Sequence, residues 1–69
     1  MNCILIGYRK ELNITQTEMA EEIGISLTSY YKKEKGQAEF KQNEMKKIMK
    51  VLNDQYPNLT VDEVFFYKM

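Results

Sequence analysis

Apolar positions along this chain recur at helical spacing and show almost no strand-like alternation. Leu5, Tyr8 and Leu12 fall at i, i+3 and i+7, one stripe of a helix from about Asn2 to Leu12. Asn13 is placed to stop it, because asparagine tolerates the left-handed backbone that follows a helix. A second helix starts after Thr15, and Glu18 three residues on completes a capping box. Its apolar face is Met19, Ala20 and Ile23, and Gly24 ends it. Ser26 caps a third helix from about Leu27 to Lys35, closed by Gly36. After a loop through Phe40, a fourth helix is predicted from about Gln42 to Asn53. Met45, Ile48, Met49 and Leu52 form its inner face. Thr60 opens a short last helix through Phe65, with Val61, Val64 and Phe65 as anchors. The one proline, Pro57, comes too late to interrupt the first four. The expectation is an all-α fold: a compact five-helix bundle, one domain over residues 1–69.

Composition narrows what the bundle can do. Cys3 is the only cysteine and there is no histidine. An internal disulfide and a Cys/His zinc site are therefore both excluded, and the core rests on packing. Cys3 itself is expected to be buried or half-buried. No apolar run approaches the roughly 18 residues of a membrane span. The opening apolar segment is too short for a signal peptide and runs into Gly7-Tyr8-Arg9, so a cytoplasmic location is expected. Catalysis finds no foothold, for lack of histidine, a glycine-rich phosphate loop or a nucleophile–base pair. No cofactor, metal or membrane partner is implied.

Ten basic residues balance ten acidic ones, which by itself argues against a polyanion partner. The distribution changes that. Seven lysines (32, 33, 35, 41, 46, 47 and 50) stand against three glutamates between residues 32 and 50, while both ends of the chain are acidic. A local basic patch can serve a polyanion on a neutral molecule. Just before it, residues 16–35 read as two short helices joined by a tight turn. Ala20 is small where the helices must approach, Gly24 permits the turn, Ile25 plugs it and Ser26 starts the next helix. That is the form of a DNA-binding helix-turn-helix, whose second helix enters a major groove.

These residues resemble the phage repressor and Cro-type (lambda-repressor-like) helix-turn-helix family of transcriptional regulators. The resemblance covers about Leu5 to Phe66. It is carried by Arg9, Ile14-Thr15-Gln16, Met19-Ala20, Gly24-Ile25-Ser26, Glu34-Lys35-Gly36 and the closing Thr60-Val61-Asp62-Glu63-Val64-Phe65. The run Tyr30 to Gly36 followed by Phe40 resembles the variant found in prophages of Gram-positive bacteria. The resemblance implies double-stranded DNA as partner. Leu27, Thr28, Ser29 and Lys32 would face base edges. Gln16, Thr17, Tyr31, Lys35, Gln37 and Lys41, with the loop amides between Gly36 and Phe40, would contact phosphates. Arg9 and Glu34 resemble the family's structural ion pair. Lys33 departs from an apolar position, its stem expected to cover the core while the amine reaches solvent. Phe40 stands where the family often has proline and is read as a core plug.

Plainer readings remain beside these. Gln16 can be a solvated first-turn residue, and Thr28 and Ser29 tolerated polar ones. Lys46, Lys47 and Lys50 read as a solvated face, and Met19, Met45 and Met49 as core. Two functions are open: a sequence-specific regulator, or a protein-interaction module on the same scaffold, such as an anti-repressor or antitoxin-like partner. One short recognition helix reads few base pairs, so a homodimer on a palindromic operator is expected. Its contact would come from the fourth or fifth helix or the tail at 60–69, where Tyr56, Phe65, Phe66, Tyr67 and Met69 supply apolar area.

Overall fold

Capping chemistry sets the order α1 (Cys3–Glu11), α2 (Gln16–Ile23), α3 (Leu27–Glu34), α4 (Gln42–Gln55) and α5 (Val61–Phe65) in the computed structural model, which describes residues 2–66. Tyr67 and Met69, candidate dimer contacts in the sequence, lie outside the described residues. Thr15 accepts from the Glu18 N–H and Glu18 returns to the Thr15 N–H, the expected capping box. Ser26 and Thr60 cap α3 and α5 in the same way, Thr60 with Glu63 in a second box. Asn13 adopts a positive φ of 58°, as its place after α1 requires.

The first helix begins one residue later than expected. Asn2 is its N-cap, its side chain accepting from the Leu5 N–H at 3.0 Å. The same residue ties three elements together. Its amide donates to the Val64 carbonyl at 2.8 Å, and its backbone N–H donates to the Glu34 carbonyl at 3.0 Å. The fourth helix runs two residues longer, to Gln55. Asn53 was expected to end it. Instead its backbone stays helical while its side chain closes the following turn, donating to the carbonyls of Tyr56 (2.9 Å) and Leu59 (2.8 Å).

The core is Leu5, Met19, Ala20, Ile23, Tyr30, Ile48, Met49, Leu52 and Val64. Met45 is only half-buried. Cys3 is exposed, contrary to expectation. It lies two residues, about 200° of helix, from buried Leu5 and so points away from the core. Val61 is 37% exposed and does not anchor α5. A five-residue helix has room for one fully buried position, taken by Val64. Tyr8 and Tyr56 meet edge to face at 4.8 Å, and Phe40 links Tyr30 to Phe65 through two more edge contacts, as a half-buried plug. In this packing α2 lies against α3 and α4, and α5 against α1 and α4. None of the helices among the described residues is long and apolar enough to cross a membrane.

Candidate nucleic-acid interface

The turn between α2 and α3 is built from three residues. Gly24 holds φ 79° and ψ 32°. A Cβ there would meet nothing nearer than Lys47 Nζ at 4.0 Å, so the left-handed backbone, not lack of space, calls for glycine. The Ile25 N–H returns to the Ala20 carbonyl at 3.0 Å and its side chain packs half-buried on the core. Ser26 Oγ accepts from the Ser29 N–H at 3.1 Å and starts α3.

One side of α3 is locked and the other is open. Tyr30 and Glu34 are buried, whereas Leu27 is 46% and Tyr31 43% exposed. Thr28, Lys32 and Lys35 are exposed as well, and Ser29 is half-buried at the edge. Leaving a leucine largely in water is costly by about 1–2 kcal/mol relative to burial, so the open face is not shaped by the fold's own stability.

Glu34 anchors the locked side. Arg9 donates from Nε to Oε2 at 2.8 Å and from Nη2 to Oε1 at 3.2 Å, and its Nη1 reaches the Ile14 carbonyl at 2.9 Å. Gln16 Nε2 donates to Glu34 Oε1 at 2.8 Å. One carboxylate thus joins α1, the start of α2 and the end of α3, and the resemblance-implied pair is present. Burial pushes the Glu34 carboxyl up, but the bonds from Arg9 and Gln16 outweigh it and hold it below the ordinary value. Burial, then the neighbouring Glu34 carboxylate, drives the Tyr30 hydroxyl far above its usual range. That hydroxyl lies buried beside the Glu34 carboxylate without forming a well-aligned hydrogen bond.

A second pair was missed by sequence reasoning. Lys33 Nζ donates to both oxygens of Glu44, at 2.6 and 2.8 Å, and the Lys41 N–H donates to Glu44 Oε1 at 2.9 Å. Both side chains are largely covered, and the Lys33 amine turns onto Glu44 instead of standing free in solvent as expected. A lone ammonium beside the core would be costly, and pairing with Glu44 removes that cost. Burial raises the Glu44 carboxyl, but Lys33 and the Lys41 N–H more than offset it and hold it below normal. The available signal was an acid at the third position of a helix, a capping place. Asn2 carried a similar signal, standing just before an apolar periodic run.

The phosphate candidates divide. Thr17, Gln37, Lys35 and Lys41 are exposed, and Gln16 is half-buried. Gln16 commits one amide hydrogen to Glu34, which leaves the second N–H of the same NH2 group for a ligand. Lys35 Nζ sits 5.0 Å over the Tyr31 ring, so these two hold each other at the rim of α3. The loop amides are fewer than expected. The Gly36 N–H donates to the Lys33 carbonyl and the Gln37 N–H to the Lys32 carbonyl, closing α3 with Gly36 at φ 84°. Neither is free for a phosphate.

Against known proteins, residues 5–53 match the family described as helix-turn-helix. Among curated proteins, the cryptic phage CTXphi transcriptional repressor RstR of Vibrio cholerae serotype O1 is 61% identical over 33 residues, 48% of this chain. The matched stretch spans 30% of that repressor's length. No solved structure matches the chain significantly.

Proposed function

From the premise that this chain belongs to the helix-turn-helix family, we propose that it is a sequence-specific, DNA-binding transcriptional regulator, a repressor or Cro-like protein, rather than an enzyme. The carrying observation is the open face of α3: Leu27, Thr28 and Lys32 stand in solvent on a helix whose opposite side is locked by Glu34 and Tyr30. In this reading α3 enters the major groove, with Leu27 against a thymine methyl, Thr28 and Ser29 on base edges and Lys32 on guanine. Gln16 meets a phosphate at the N-terminus of α2, and Thr17, Tyr31, Lys35, Gln37 and Lys41 hold the flanking backbone through their side chains. Two copies bind a palindromic operator, because one eight-residue helix covers only part of a useful site.

A phage origin is part of the proposal, supported by the cryptic-phage relative. Within it, the run Tyr30 to Gly36 with Phe40 supports the Gram-positive prophage variant. A cytoplasmic place of action follows from the proposed target. The neutral net charge favours one competing reading, a protein-interaction module with weak DNA affinity.

Selection of bound duplexes from a random pool tests the proposal and separates the two. Enrichment of a two-fold-symmetric sequence is expected; no enrichment at low salt refutes DNA recognition. On the selected duplex, log affinity should fall with log salt concentration. Lys32→Ala should lower affinity for the operator more than for random DNA, by about 1–3 kcal/mol of discrimination. Equal losses on both would move Lys32 to a phosphate.

A further inference from the structure

The open side of α3 carries two rows at helical spacing. Thr28 and Lys32, both exposed, form a polar row. Leu27 and Tyr31 form an apolar row beside it, 46% and 43% exposed. Residues four apart on a helix are neighbours, about 5–6 Å between Cβ atoms, so the leucine and the tyrosine flank one small gap in solvent. Lys35 continues this row and holds its amine 5.0 Å over the Tyr31 ring, which steadies the ring.

The helix is poor in side chains that read bases through paired hydrogen bonds. Its eight residues include no arginine, asparagine or glutamine, the usual two-bond readers of guanine and adenine. Lys33 is tied to Glu44. Thr28, Ser29 and Lys32 are the groups left on α3 to bond a base edge, and of these Lys32 alone suits the two acceptors of guanine. An adenine has no two-bond reader on this helix. Its A·T pair is still marked in the major groove by the thymine methyl.

We infer that Leu27 and Tyr31 form a binding place for the C5 methyl group of a pyrimidine, so that this chain distinguishes thymine from uracil and 5-methylcytosine from cytosine. This rests on the DNA-recognition reading above and adds the class of base that is read. The two rows match two features of one base pair. A 5-methylcytosine–guanine pair sets a methyl beside guanine O6 and N7; the methyl fits the apolar row and the acceptors fit Lys32. A thymine sets the same methyl beside its own O4 acceptor, which suits the Thr28 hydroxyl. Covering the methyl also takes two exposed apolar side chains out of water, and that burial drives the contact. Tyr31 serves two neighbours at once, its ring on the methyl and its hydroxyl towards the phosphate assigned to it above.

The test changes the DNA one methyl at a time. In the duplex selected from the random pool, each thymine is replaced in turn by uracil, which removes the methyl and keeps the pairing. At the position most sensitive to this change, a C·G pair is then built in with and without the C5 methyl. Fluorescence anisotropy should give about fourfold tighter binding per methyl in both comparisons. Leu27→Ser and Tyr31→Ser, each checked for helix content by circular dichroism, should bring both ratios close to one. A ratio taken within one protein is unaffected by a uniform loss of affinity, so it separates methyl reading from weakened binding. Ratios of one at every position with the parent chain overturn the proposal while DNA recognition stands. Ratios as large in either variant as in the parent place the methyl contact elsewhere and overturn it as well. If the parent selects no duplex, the DNA-recognition reading fails and the methyl site falls with it.

Discussion

Replacing Arg9 by methionine takes a cation from a place where water cannot stand in for it. The Glu34 side chain it faces is only 2% accessible. Arg9→Met removes two bonds to that carboxylate and one to the Ile14 carbonyl, and leaves Gln16 as the remaining side-chain donor. Stranding one member of a buried pair costs about 3–5 kcal/mol. At about 0.05–0.15 kcal/mol per residue, a chain of 69 residues holds about 3–10 kcal/mol in all. The variant is therefore expected at the edge of unfolding. Arg9→Met with Glu34→Leu removes the stranded charge and should restore most of the loss, leaving a deficit of about 1–2 kcal/mol for the unpartnered Ile14 and Gln16 groups. Urea unfolding followed by far-ultraviolet circular dichroism gives both values. The pH dependence is a second readout. Without Arg9, burial raises the Glu34 carboxyl, so protonation relieves it at higher pH, and the single variant's deficit should shrink as pH falls. A double variant as unstable as the single one, or a deficit independent of pH, would refute the uncompensated-charge account and assign Arg9's contribution to packing.

Three further outcomes follow from the same geometry. Glu34 and Glu44 are both held below the ordinary carboxyl value of 4.5, so the stability they contribute is full above that value and is lost as pH falls through their lower folded values; a urea midpoint that stays flat from neutrality into acid would contradict this. Gly24→Ala should cost about 1–2 kcal/mol through its left-handed backbone alone, and Gly24→Asn less; equal losses would mean the site lacks space instead. Tyr30→Phe deletes a buried hydroxyl without a partner and should be neutral or stabilising by up to about 1 kcal/mol in thermal unfolding. A clear loss would reveal a bond to Glu34.

What was legible in the sequence is what local chemistry decides. Thr15 with Glu18, Ser26, Gly24, Gly36 and Asn13 marked helix ends through side-chain caps and left-handed backbone, and each acts within a few residues of itself. The inward stripes were legible because helical spacing places i, i+3 and i+4 on one face. The Arg9–Glu34 pair, 25 residues apart, was accessible only through the family resemblance. Tertiary structure alone decided which polar groups found partners. Lys33 reads as a solvated lysine until α4 brings Glu44 beside it, and Gln16 reads as a free donor until the end of α3 brings Glu34 within 2.8 Å. Asn53 looked like a helix end until Leu59 returned to meet its side chain. Cys3 and Val61 looked like core, but a small bundle has too little interior for every apolar residue in its short end helices. Caps and periodicity are set by neighbours along the chain. The partner of a buried charge is set by elements far apart in sequence, because desolvation is felt only once they have packed.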